Sequence, residues 1–164
     1  MDDRVIAVPP LDALPFAVLI RESHWLGAAL QATHLLGMAL LIGTVIAFDL
    51  RVLGVNRRLP VQHLGRHLLP ISVTSLVLVV PSGLAMFAAH ASELLTNRLF
   101  ALKMSLIFLG AVNAIVFHTG PYRSVIDWNQ GCRAPLAARA CAGVSLLGWV
   151  AVLICGTLLN VWNT

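Results

Sequence analysis

Charge is what this chain has least of. Charged residues make up 11% of its 164 positions and apolar residues 59%. Ordinary soluble domains run near roughly 25% charged and 45–50% apolar. That balance excludes a water-soluble globular domain and points to a single domain that lives in lipid. Cysteine is scarce too. Cys132, Cys141 and Cys155 are the three present, and none belongs to a CxxC, which removes zinc and iron–sulfur frameworks. The lack of CxxCH likewise removes covalent haem attachment. No Gly-rich phosphate loop, Ser–His–Asp order or Cys–His spacing is visible, so hydrolytic and transfer chemistry have no residues to carry them. A net charge of +4, placed mainly in short connections, does not suggest a nucleic-acid partner. Met1-Asp2-Asp3 is acidic where a secretory signal needs basic residues.

Four long apolar runs fill the remainder, over residues 25–47, 68–89, 99–117 and 141–162. Each holds about 20 apolar residues, enough to cross a roughly 30 Å hydrocarbon layer as a helix. Helices are required there because no water is available to satisfy a free backbone. The strand alternation of a membrane barrel is missing. The expected fold is all-α: an integral membrane up-and-down four-helix bundle. Residues 10–22 are too short to span, and Pro15 interrupts them, so they read as an interfacial helix leading into the first span. Pro70 and Pro81 should kink the second span. Gly27, Ala28, Gly37, Gly43 and Gly83 are candidates for close helix approach, and Trp25, Trp128 and Trp162 for the membrane interface.

The basic residues orient the bundle. Arg51, Arg57, Arg58, Arg66, Arg123, Arg133 and Arg139 fall on the side of the first and third connections. Arg4, Arg21, Arg98 and Lys103 fall on the other, seven against four. The positive-inside rule then places both termini outside the cytoplasm, in the periplasm of a bacterial cell. Lys103 is one turn from a span end and is expected to snorkel outward, or else to meet a quinone or a propionate. Asn113 is expected to make an interhelical hydrogen bond.

Six histidines mark the ends and interiors of the runs. An imidazole in lipid is costly unless paired, hydrated or ligating. His24 and His63 read as plain interfacial residues. His67, at the start of the second run, and His118, at the end of the third, fall at similar depth on consecutive antiparallel spans. Two such rings can hold one haem iron from opposite faces, and Arg66 and Arg123 lie where propionates would need partners. A second pair joins His34 and His90, although His34 lies roughly 13 Å below the interface; His24 is the fallback partner for His90. Copper or zinc is the rival ligand for the same four rings, yet Asp49, Glu93 and Asp127 all fall outside the apolar cores and the methionines are scattered.

With these features the chain resembles bacterial four-helix membrane cytochromes b, the group that includes diheme electron-transfer subunits and copper-resistance-D-like membrane proteins. The resemblance covers residues 22–163. It rests on the four spans and on Gln31-Ala32-Thr33-His34, His67-Leu68-Leu69-Pro70, Met86-Phe87-Ala88-Ala89-His90 and Asn113-Ala114-Ile115-Val116-Phe117-His118. It implies one or two b haems between histidine pairs, a quinone or redox partner near one face, association with other redox subunits or a second copy, and residence in the bacterial inner membrane. The rival expectations are a metal permease, most simply for copper, and a cofactor-free structural subunit.

Overall fold

The computed structural model describes residues 11–162, with the side chains of 160–162 left aside. Arg4 and the acidic start lie outside these residues, as does the first position of the expected interfacial segment. Six α-helices follow one another: α1 (Pro15–Glu22), α2 (His24–Leu53), α3 (Val61–Ala89), α4 (Ala91–Thr96), α5 (Arg98–Thr119) and α6 (Leu136–Trp162). Short 3₁₀ segments occupy Leu11–Ala13 and Pro121–Trp128. No strand occurs among the described residues. Four helices, α2, α3, α5 and α6, are long and apolar enough to cross a membrane.

Those four are longer than the apolar runs, because polar residues continue the backbone hydrogen bonding past the oily windows. The 30 residues of α2 reach about 45 Å at 1.5 Å per residue. Ser23 caps its start by accepting from the Leu26 amide. Gly54 ends it with φ +113°, a left-handed residue that lets the Gly54 and Val55 amides reach the Arg51 and Leu50 carbonyls. The helix α3 begins seven residues before its apolar run, so His63 and His67 both lie inside it. Pro70 and Pro81 are likewise interior, and the helix continues through both.

The helices pair as two hairpins, α2 with α3 and α5 with α6, joined through α2 and α6. Small residues set the first pairing. A Cβ on Gly37 would stand 2.8 Å from Val79 Cγ2 and 2.9 Å from Leu78 Cβ. Gly83 faces the His34 ring at 3.0 Å by the same construction, whereas Gly43 faces open space. Close approach therefore belongs to Gly37 and Gly83. Asn113 makes the expected interhelical bond, donating from Nδ2 to the Cys141 carbonyl at 3.0 Å.

One end of the bundle carries both hairpin connections and is termed the loop end; the other, which holds α1 and α4, is the terminal end. The largest apolar cluster sits at the loop end: Val52, Val61, Phe117, Val125 and Trp128, with Ala134, Ala138 and Ala142 of the last hairpin. Trp128 is thus a core residue, its indole donating to Ser124 Oγ at 3.3 Å, and not the interfacial ring expected of it. Trp25 remains 84% exposed. At the terminal end α1 lies against α3. Arg21 donates to the Ala89 carbonyl at 3.2 Å and Ser92 donates to Asp12, whose carboxyl that bond holds below the usual aspartate range.

Candidate functional site: histidines and buried charge

His34 projects from the middle of α2 toward α3. Its Nδ1 lies 3.1 Å from the Val79 carbonyl and 3.1 Å from Ser82 Oγ. A carbonyl only accepts, so that contact assigns the proton to Nδ1 and leaves Nε2 as a free lone pair. Ser82 donates in turn to Leu78 and Val79 carbonyls. These donors gather in the turn where Pro81 has no amide to offer. Lys103 of α5 is within Coulombic range of His34. Its ammonium does not snorkel outward: Nζ would stand 3.6 Å from a Cβ on Gly156 of α6, and the side chain is half-buried. The small face of Gly156 admits a side chain that burial would otherwise turn away.

His67 and His90 show a similar posture. Nδ1 of His67 meets the His63 carbonyl at 2.8 Å, and Nδ1 of His90 the Met86 carbonyl at 3.3 Å, each one turn back on its own helix. Both rings are exposed. Tying Nδ1 to a carbonyl fixes the tautomer and aims Nε2 outward, which is how proteins orient a histidine that ligates through Nε2. His118 is exposed and packs against Tyr122 and Phe117, ring centroids 5.2 and 5.3 Å away.

Depth and direction then separate the expected pairs. His67 lies 15 residues from Ser82 (82 − 67), and His118 lies 15 from Lys103 (118 − 103). Both are therefore about 22 Å from the His34 level, at similar depth. Direction differs. A Cβ on Gly65 would meet the Tyr122 hydroxyl at 3.2 Å, so that face of α3 looks toward the group packed on His118. His67 is two positions on, about 200° around the helix, and looks away from it. His90 lies eight residues past Ser82, about 12 Å above the His34 level; His24, exposed beside Trp25, is ten residues before His34. No second imidazole shares the His34 level. Arg66 and Arg123 are exposed at the loop end.

Two polar residues that sequence reasoning assigned to a span end are buried in α2. Asp49 is 7% exposed and Arg51 3%. The Arg51 guanidinium donates from Nε to the Leu59 carbonyl at 2.6 Å and from Nη2 to the Arg57 and Asn129 carbonyls at 3.1 and 3.0 Å. Asp49 lies beside the Ser145 hydroxyl of α6, and its Oδ2 has no hydrogen-bond partner. The available signal was the Asp49-x-Arg51 spacing, which puts two opposite charges in the last turns of an apolar helix. Among the described residues, no three His, Cys, Asp or Glu side chains gather to hold a metal ion.

An all-helical chain with a histidine hydrogen-bonded across the first hairpin defines a small helical bundle, four of whose helices are long and apolar enough to cross a membrane. The profile of a family of unknown function, DUF6644, matches residues 25–161, and the chain belongs to that family. No curated protein and no solved structure matches it.

Proposed function

We propose that the chain is a multi-pass protein of the bacterial inner membrane, with both termini periplasmic, and that it acts as a b-type cytochrome subunit. In this reading it carries electrons between a quinone and a redox partner, within a larger complex or as a homodimer. The observation that carries it is the posture of His34, His67 and His90. Each ring ties Nδ1 to a backbone carbonyl and leaves Nε2 free, the arrangement a metal-bound imidazole needs. His118 supplies the partner depth to His67. The donor chemistry of an imidazole fits haem iron, but His67 and the Tyr122-backed His118 look in different directions, so a haem held by both would need rings from two chains. Haem b would supply one-electron exchange at a potential set by its axial ligands. The residues' own part is to present Nε2, to hold the ring by its carbonyl, and at Arg66 and Arg123 to offer guanidinium groups to carboxylates.

A second reading has its own support. His34 is already satisfied by α3 through Val79 and Ser82, as expected of a polar side chain that holds two membrane helices together. On that reading the protein is a cofactor-free structural subunit. The copper-permease reading lacks a gathered ligand set among the described residues.

A pyridine haemochrome assay on protein purified from membranes, with quantitation, separates these. The cytochrome reading expects about one or two haems per chain, loss of haem in His67→Ala and His118→Ala, and a native fold in both variants. Haem-free protein from cells making ample haem, with single histidine variants altering only thermal stability, would establish the scaffold reading instead.

A further inference from the structure

We propose that Asp49 is a proton-binding site inside the bundle, exchanging one proton and open from the lipid side to small apolar reagents. The inference goes beyond the electron-transfer reading and does not depend on haem.

Asp49 is the one polar side chain among the described residues with a buried oxygen that nothing satisfies. The residue is buried between α2 and α6. The single polar neighbour is the Ser145 hydroxyl, which can serve one oxygen. The nearest cation in sequence, Arg51, points its guanidinium at the loop carbonyls of Arg57, Leu59 and Asn129. Other charged or titratable groups at this end are Arg57 and Arg58 of the first connection, His63, Arg66 and His67 of α3, His118 of α5, Tyr122, Arg123, Asp127, Cys132 and Arg133 of the last connection, and Arg139 and Cys141 of α6. None of them pairs with Asp49, whose Oδ2 has no hydrogen-bond partner. A carboxylate with no counter-ion and an empty lone pair bears its whole desolvation cost. A proton on Oδ2 removes that cost without needing another side chain. The lone carboxyl and single hydroxyl are too few oxygens for a calcium or magnesium ion, which takes about six or more.

Ser145 has a second neighbourhood. It lines an apolar groove of about 310 Å³ between α5 and α6, with Leu106, Gly110, Val144 and Gly148. A Cβ at Gly110 or Gly148 would meet nothing within 4 Å, so these glycines keep the groove open. The groove opens on the helix surface and has Ser145, the polar neighbour of Asp49, in its wall.

Dicyclohexylcarbodiimide tests this directly, because it partitions into lipid and reacts with carboxylic acids. The acid proton moves to a carbodiimide nitrogen, the carboxylate oxygen bonds to the central carbon, and rearrangement leaves a stable N-acylurea carrying the whole reagent. The full chain in native membranes would be treated at acid and alkaline pH, in sodium or choline chloride, and mapped by peptide mass spectrometry. The expected result is labelling at Asp49, greatest at acid pH and equal in both salts. A water-soluble carbodiimide should spare Asp49 while modifying exposed Asp127 and Glu93. Asp49→Asn should remove the adduct, and Gly148→Leu should slow labelling by roughly tenfold or more by filling the groove, with the carboxyl itself unchanged. Three outcomes would overturn the proposal: no Asp49 adduct in folded protein although detergent-denatured protein is labelled, equal modification by the water-soluble reagent, or protection by sodium, which would mark a cation site. Haem content bears on none of them, so this proposal and the cytochrome reading fail separately.

Discussion

The two ends of the bundle are built on different principles. At the loop end, one guanidinium ties both hairpin connections together. Arg51 reaches the carbonyls of the first connection and of Asn129 in the second. The backbone repeats the tie: the Val61 amide donates to the Asn129 carbonyl and the Gly131 amide to the Arg57 carbonyl, both at 2.9 Å. Asn129 Oδ1 also accepts from the Gln62 amide at 2.9 Å. Aromatic rings of Phe48, Phe117 and Tyr122 pack beneath. At the terminal end and along the helices, the long-range polar links are few and each joins one pair of elements: Arg21 to Ala89, Ser92 to Asp12, His34 to α3, Thr44 to Ser72 and Asn113 to Cys141. The loop end is fastened by a network; the remainder is held by shape. In a helical protein with little charge, this division puts rigidity where backbone leaves the helices and carbonyls need donors. The stretch around His34 and Lys103 is left with single, separable contacts.

Mutations can break or sharpen this contrast. Arg51→Ala should have the largest effect, about 3 kcal/mol or more, because three carbonyls lose a charged donor in a buried place. Thermal unfolding in detergent, followed by circular dichroism, would measure it. Arg51→Lys should recover only part of the loss, since an ammonium cannot copy the planar fork. A change below about 0.5 kcal/mol would mean that the network is ornamental.

Gly37→Val comes next. Its new side chain meets Val79 and Leu78 of α3 with no room, and overpacking of this kind costs about 1–3 kcal/mol. Cysteine crosslinking between α2 and α3 should fall in the same variant, while crosslinking between α5 and α6 stays unchanged. Gly43→Val is the control, because that position faces open space. Asn113→Leu should be the mildest, about 0.6 kcal/mol, the average of a hydrogen bond between membrane helices. Equal losses in all three would erase the distinction between network and shape.

Much of the fold could be read directly. Helix number, type and approximate place follow from runs of apolar residues whose length and scarcity of charge allow no other structure in lipid. Helix ends were less legible. His63, His67, Asp49 and Arg51 all lie inside helices, because a hydropathy window stops at the first polar residue while backbone hydrogen bonding does not. Among the site residues, Asn113 behaved as its place in an apolar helix required. His34 was legible as a ring that needs a partner, but not which partner. Trp128 and Lys103 were misjudged for one reason: exposure depends on what packs opposite, here the alanines of α6 for the indole and Gly156 for the amine.

The chain by itself determined that it would form four membrane-length helices with short links, since burial of apolar residues and the need to satisfy every amide act locally along the sequence. Only the tertiary structure decided which glycines join helices, which carboxyl is left alone, and where each imidazole aims. Those outcomes depend on the rotation of one helix against another, and a rotation of about 100° per residue turns a neighbour in sequence into a stranger in space.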